Sequence, residues 1–488
     1  MKLARRTVLG LASVSALMAA SRATWVNAAW AQTVHPLAER LAAYAHGLRY
    51  DDLDDATVER VKAHFIDALG CGLAAFDERP VHICRDVALA SGAGVATVIG
   101  TNRRTTPELA SFANCAAFRY YDLNDVYAGP FSGHPSDNIA ACLAVAEGER
   151  ATAKELITAI VLAYEVNCRL CDAFDLSTRG WDPPVFSLPA VALAAGKLMK
   201  LNPDKLTQAV NLAINDHIPM GQTRSGALSD WKGIADAEAG RNAVFAATLA
   251  RSGLTGPAPI FEGKSGFFRL VSGSADVNVD AFGGHGIAFK IHQCGLKAYP
   301  VVVYGQTAVV AGAALAKEVG DLDRIAALEV ATTRRGFQQA GNDPEKWTPD
   351  SKETADHSLP YITARAMFDG DINNDSYQPE KLHDPRILAF MRKITVKPEP
   401  AFEISGGGTP ATRITATLDD GRRITRQVES MPGFPGQPIS RGDVNRKFRS
   451  NVDGRLAQER MESILQDLWA LDRTSDLPAL LNKVALQA

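Results

Sequence analysis

Asp122 and Asp125 stand three residues apart and are followed, within a loop's length, by Gly133-His134-Pro135-Ser136-Asp137-Asn138. The acids close one helical pattern, a Gly/Pro loop follows, and Ser136-Asp137 opens the next helix. A histidine fixed two residues before a helix start can face a cavity, and imidazole is the side chain suited to proton transfer near neutral pH. Residues 223–257 bring a second group: Arg224 in a Gly/Ser loop, then Trp231-Lys232-Gly233 ahead of an Ala/Gly-rich run. Ser229 or Asp230 reads as the N-cap of that run and Gly253 as its C-terminal stop. Lys232 then lies in the first helical turn, where orphan N–H groups and the macrodipole favour an anion, most simply a carboxylate. Cys294-Gly295-Leu296-Lys297-Ala298-Tyr299-Pro300 and Asp356-His357-Ser358-Leu359-Pro360-Tyr361 are the third and fourth groups. Singly, each serves equally well as structure: an acid finishing a helix, a histidine bonded locally, a surface lysine. Together, Lys, Arg, His, Tyr and Asp suit proton abstraction next to a carboxylate. Cations hold the acid and stabilise enolate-like charge, while His or Tyr moves protons.

No H-E-x-x-H, P-loop, nucleophile elbow or glycine-rich dinucleotide loop occurs, so the expected chemistry needs neither metal nor cofactor. A net charge of −3 without a Lys/Arg run gives no case for nucleic acid. Residues 1–31 read as an address: Arg5-Arg6, a mild apolar run to Ala20, then Ala29-Trp30-Ala31 as a cleavage site. The twin arginines and the Ala/Ser-rich run point to twin-arginine export into the periplasm, with no membrane span after cleavage. The seven cysteines lie mostly in apolar helical patterns, and Cys168-x-x-Cys171 has no partner pair at metal spacing, so structural thiols are expected.

The elements that must position these residues are mainly helices. Asp55 can cap a helix with Val58, Val61, Phe65, Leu69 and Gly72 on one face. Thr106-Pro107-Glu108, Ser136-Asp137, Thr152-x-x-Glu155 and Asn202-Pro203 open four more. The Ala/Gly-rich run after Lys232 has small side chains on most faces, which predicts a central, buried helix. Val95–Ile99 reads as a strand. After about residue 276 the texture turns β-branched at Ile287–Ile291, Ile325–Thr333, Arg392–Lys397 and Ile414–Leu418. Asp420-Gly421 predicts a hairpin turn to Arg423–Val428. Helical patterns at 306–318 and 357–368 interleave, giving an α+β unit. Residues 431–439 read as a linker, and Ser440-x-x-Asp443 restarts helices to the C-terminus. The boundaries fall at 32–275 for a helical domain, 276–435 for the mixed unit and 436–488 for returning helices.

The order Asp-x-Asn-Asp, Gly-His-Pro-Ser-Asp-Asn, Trp-Lys-Gly, Lys-x-Tyr-Pro and Asp-His-Ser-Leu-Pro-Tyr, over about residues 37–450, resembles the MmgE/PrpD family. That family includes 2-methylcitrate dehydratase, cis-aconitate decarboxylase and an iminodisuccinate epimerase. The resemblance implies a mainly α fold, a large helical domain with a smaller α+β lid inserted, and a homodimer. It places the catalytic groups on Asp122, His134, Lys232, Lys297 and Tyr361; Arg224, Asp125 and His357 are the expected substrate-binding residues. Three positions depart from the family pattern. Val126 replaces the Thr of the acidic motif, Asp182 falls in a stretch (Arg179–Pro184) that lacks the expected His, and Val302 stands where decarboxylases carry a His. The implied activity is a cofactor-independent hydro-lyase for a small di- or tricarboxylate. The alternatives are an isomerase or epimerase sharing its first step, or an inactive carboxylate binder.

Overall fold

The computed structural model describes residues 35–403 and 408–486, so the address segment 1–31 lies outside the described residues. The helical part begins with α1 (Leu37–Gly47), α2 (Asp55–Ala74) and α3 (Arg79–Ala90). Asp54, one residue earlier than the pattern suggested, caps α2 by accepting from the Thr57 N–H. The Val95–Ile99 run shortens to β1 (Ala96–Thr97) paired with β2 (Arg104–Thr105). Then come α4 (Pro107–Arg119), β3 (Asp125–Val126), α5 (Asp137–Gly148) and α6 (Ala153–Ala173), the last opened by a Thr152/Glu155 capping box. After α7 (Ser187–Leu198) and α8 (Pro203–Asn215), α9 (Ala235–Arg251) packs against α4, α7 and α8. Its Ala237, Ala243 and Ala247 are wholly buried, so the small side chains do let three helices approach one central helix.

The lid follows β4 (Gly295–Leu296), which pairs antiparallel with β3: Asp125 opposite Leu296 and Val126 opposite Gly295. Its elements are α10 (Val303–Val319), β5 (Ile325–Thr332), α11 (Arg334–Ala340), α12 (Lys352–Ala355), α13 (Leu359–Asp369), α14 (Pro379–Leu382), α15 (Pro385–Met391), β6 (Ile394–Pro398), β7 (Thr412–Leu418) and β8 (Arg423–Val428). The sheet runs β6-β5-β7-β8, with β5 and β6 parallel and the other pairs antiparallel. Gly421, at φ 82°, supplies the left-handed residue of the β7–β8 turn. The chain then returns through α16 (Arg441–Val452), α17 (Gln458–Trp469) and α18 (Leu477–Asn482), with α16 lying on α2. One hydrophobic core draws on Leu37 to Leu296 and again on Val444 to Val484; a second draws on Val301 to Phe434, joined by Val126 and Ala128. Among the described residues no helix is long and apolar enough to cross a membrane.

Ile287–Ile291 is not a strand. Ile287 makes one bridge to Gly284, and Lys290–Gln293 forms a 3-10 turn. The carboxylate of Glu165 on α6 accepts from the Gly283 and Lys290 N–H groups, both at 2.7 Å, so a side chain rather than a neighbouring strand satisfies this backbone. All seven cysteines are reduced and buried; Cys168 lies 3.7 Å from Cys294 across the first core.

Candidate active site

Five short segments deliver the site: residues 119–125, the loop around His134, the Lys232 turn, Lys297 and residues 352–357. α4 ends at Arg119, and the chain then turns through Asp122 at φ 53°, a left-handed conformation that non-glycine residues rarely hold without support. The support is visible: the turn aims the carboxylate at cations from three directions. Arg119 Nη1 donates to it at 2.5 Å, Lys232 Nζ at 3.3 Å, and Lys297 Nζ donates to it and, at 3.1 Å, to the Asp122 carbonyl. The β3–β4 pairing carries Lys297 to that place, one residue beyond the strand. Burial alone would raise the Asp122 carboxyl, but the charges of Arg119, Lys232 and Lys297 hold it well below the carboxylate range. It is ionised and wholly enclosed.

Lys232 does not sit in the first turn of α9. Asp230–Gly233 forms a separate 3-10 turn, and α9 starts at Ala235. The ammonium is completely buried and bridges two carboxylates, Asp122 and Asp356, the latter at 3.0 and 3.1 Å. Asp356 also accepts from Lys352 Nζ at 2.7 Å and from His357 Nδ1 at 2.6 Å. His357 is therefore an Asp-backed imidazole whose Nε2 stands 3.7 Å from the Asp122 carboxylate. Burial, then the Lys232 charge, pull it down to about 3, so it is neutral in the resting protein.

His134 shows the same logic. Its Nδ1 lies 2.7 Å from the Asp125 carbonyl, which can only accept, so Nδ1 carries the proton and Nε2 offers a lone pair. Arg119 Nη2 donates to that lone pair at 3.0 Å. Burial, then Arg119 and Lys297, hold the imidazole well below its usual range. A Cβ at Gly133 would come within 3.1 Å of Asn167 Oδ1 and 3.3 Å of Cys171 Sγ, so glycine keeps this corner tight against α6. Asp125 lies one layer behind: its carboxylate is held by His64 Nδ1 at 2.9 Å, Tyr164 Oη at 2.7 Å and the Ser136 N–H at 3.0 Å. It fixes the loop under His134. Burial drives the Lys297 ammonium down to about 8, with Asp122 opposing the fall.

Arg224 stands at the outer edge. It pairs with Asp182 at 2.8 Å, donates to the Lys232 carbonyl at 3.3 Å and reaches Asp236 at 3.5 Å. Asp236 in turn lies 3.7 Å from Arg119 Nε, which links the outer edge to His134. Arg224 and Asp182 line a cleft of 630 Å³ between the helical part (Phe131, Thr178, Gly180–Pro183, Met220–Gln222) and the lid (Arg335–Asp343). Tyr361 is not brought to the cluster. Its hydroxyl donates to the Ser376 carbonyl inside the lid core, and burial lifts it to about 12.

Arg119, Asp236 and Lys352 escaped the sequence-based choice of site residues, and Asp356 is marked there only as a member of the Asp356-to-Tyr361 group, without a role of its own. Arg119 looks like an ordinary cation in the last turn of a helix, and only its total burial marks it out. Asp122, Asp356 and His357 offer ligand atoms within 4.8 Å of one another. Lysine ammoniums already neutralise both carboxylates, so this donor set is that of an ion-pair cluster.

A helical domain and a mixed lid meet on a buried cluster of cations, carboxylates and neutral imidazoles. The MmgE/PrpD N-terminal domain model matches residues 39–280 and the C-terminal domain model matches 299–471. The chain belongs to the MmgE/PrpD family. It is similar to the cis-aconitate decarboxylase of Mus musculus, 25% identical over 457 residues that cover 91% of this chain and 92% of the relative. It is also similar to the 2-methylcitrate dehydratase of Cupriavidus necator, 26% identical over 452 residues, 86% and 90% of the two chains. The 2-methylcitrate dehydratase of Salmonella typhi is 26% identical over 447 residues, 84% and 89%. These relatives are enzymes.

Proposed function

We propose that the chain is a cofactor-independent lyase that removes the proton next to a carboxylate of a small di- or tricarboxylate and expels water. The carrying observation is the Asp122 cluster: three cations on one carboxylate, with the Nε2 atoms of two neutral imidazoles, His134 and His357, turned into it. Neutral His134, locked with its proton on Nδ1, accepts the substrate proton at Nε2 once the Arg119 N–H that holds this lone pair turns to the substrate carboxylate. Lys232 and Arg119 stabilise the charge that develops on the substrate carboxylate, in a site too dry to screen it. Lys297, at about 8, is the group that can release a proton near neutrality to the departing hydroxyl. Val302 supports dehydration over decarboxylation. It is buried, its N–H bonds to the Asp356 carbonyl, and it places no ionisable group beside the Asp356–His357 pair.

Arg5-Arg6 and Ala29-Trp30-Ala31 support export by the twin-arginine route, and a periplasmic member would meet its acids outside the cytoplasm. A homodimer is proposed from the family resemblance alone. The activity is tested by proton NMR of mature protein with 2-methylcitrate, citrate, malate and cis-aconitate. Unsaturated acid should form from a hydroxy acid, or hydroxy acid from cis-aconitate. Carbon dioxide released from cis-aconitate, with every hydroxy acid untouched, would replace this reading by decarboxylation.

A further inference from the structure

The outer cleft holds two arginines in opposite states. Arg224, on the helical side, is already neutralised by Asp182 at 2.8 Å and approached by Asp236 at 3.5 Å. Arg335, on the lid side, has no such partner. Its Nη1 donates to the Pro130 carbonyl at 2.7 Å, its guanidinium lies 4.8 Å from the Phe131 ring centroid, and the nearest acid, Asp175, is 4.0 Å away. Its other two nitrogens, Nε and Nη2, are buried and, among the described residues, meet no acceptor. Nε and Nη2 form the edge of a guanidinium that receives a carboxylate through two parallel bonds. A buried donor without an acceptor is costly, and a pair of them on one cation calls for a ligand.

Resting on the polycarboxylate reading above, we propose that Arg335 is the lid's carboxylate receptor, taking the arm of the substrate farthest from His134. Asp182 sharpens the choice. By cancelling Arg224 it leaves Arg335, whose nearest acid is 4.0 Å away, as the less neutralised cation of the outer cleft, so the cleft accepts one distal carboxylate. The neighbouring Thr178, Gln338 and Gln339 offer hydrogen bonds to a polar chain between that carboxylate and the reacting end. The bond from Arg335 to Pro130 already joins α11 to the loop before His134, so a carboxylate seated on Nε and Nη2 draws lid and helical domain together.

The test is calorimetric binding of tricarballylate, which has three carboxylates and no hydroxyl to lose, alongside succinate, which has two. Wild type should bind tricarballylate, and Arg335→Gln should weaken it about 10- to 100-fold while changing succinate less than about threefold. Arg335→Lys, which keeps the charge without the fork, should fall between. Asp182→Asn, which leaves Arg224 only the 3.5 Å approach of Asp236, should tighten tricarballylate. Melting temperatures of the variants separate lost binding from lost folding; if Arg335→Gln melts early, Arg335→Lys and Asp182→Asn carry the test. Equal tricarballylate binding by wild type, Arg335→Gln and Arg335→Lys overturns the role of Arg335 and leaves the polycarboxylate reading standing. No binding of either acid to wild type overturns both.

Discussion

Lys297 ties the buried charge of the site to a pH at which it can be read. Its side chain is wholly enclosed, and burial brings the ammonium from 10.5 to about 8 despite its contact with Asp122. Each tenfold change in acidity is worth about 1.4 kcal/mol, so the folded protein holds this charge at a cost of about 3 kcal/mol. Because the folded value lies below the unfolded one, the unfolded chain binds the extra proton between pH 8 and 10.5. Stability should therefore rise with pH across that window, by up to about 3 kcal/mol relative to Lys297→Met. Activity should move the other way. The descending limb of kcat/KM should sit near pH 8, where the cation and proton donor is lost. Lys297→Met should lower kcat/KM about 10- to 150-fold, the worth of one charge-assisted contact, and show no limb. Lys297→Arg, charged throughout, should push the limb above the measurable range while keeping part of the rate. The assays are pH–rate profiles and urea midpoints for the three proteins. A limb near pH 8 that survives in Lys297→Met, or wild-type and Lys297→Met midpoints that move in parallel with pH, would refute the assignment.

Other outcomes follow from the geometry. Tyr361→Phe should leave kcat within about threefold and cost about 1 kcal/mol of stability, because its hydroxyl serves the Ser376 carbonyl; a hundredfold fall in kcat would return Tyr361 to the proton path. Asp356→Asn should weaken the hold on both Lys232 and Lys352 and lower thermal stability together with kcat; an unchanged melting temperature would mean the cluster bears little of the lid contact. Replacing Arg5 and Arg6 by Lys should strand the chain in the cytoplasm by fractionation; unchanged export would rule out the twin-arginine route.

Much of this was legible in the sequence where local chemistry decides structure. Thr152-x-x-Glu155 and Ser440-x-x-Asp443 announce helix starts because the caps are made within the motif itself. Asp420-Gly421 announces a turn because only a left-handed residue closes it. The Ala/Gly run after Lys232 announces a central helix because small side chains have no other use on every face. What stayed hidden depends on partners far along the chain. Ile287–Ile291 has a strand's composition, but the Glu165 carboxylate claims its backbone. Lys232 resembled a helix-dipole anion site, yet it stands in a separate turn ahead of α9 and bonds Asp122 and Asp356, more than a hundred residues away on either side. Arg119 carried no motif at all, although it touches both Asp122 and His134. Tyr361 shares a motif with His357, but one turn of α13 rotates its hydroxyl into the lid core.

Solvent exchange reads the proton-abstraction step most directly. In D₂O, wild-type protein should place deuterium on the carbon next to a carboxylate of 2-methylcitrate or citrate. His134→Gln, which keeps a hydrogen bond but cannot titrate, should exchange about 10²- to 10⁴-fold more slowly. Exchange in His134→Gln at more than about a tenth of the wild-type rate would contradict the role of His134 as the proton acceptor. No exchange by wild type into any bound di- or tricarboxylate would contradict the enzyme itself.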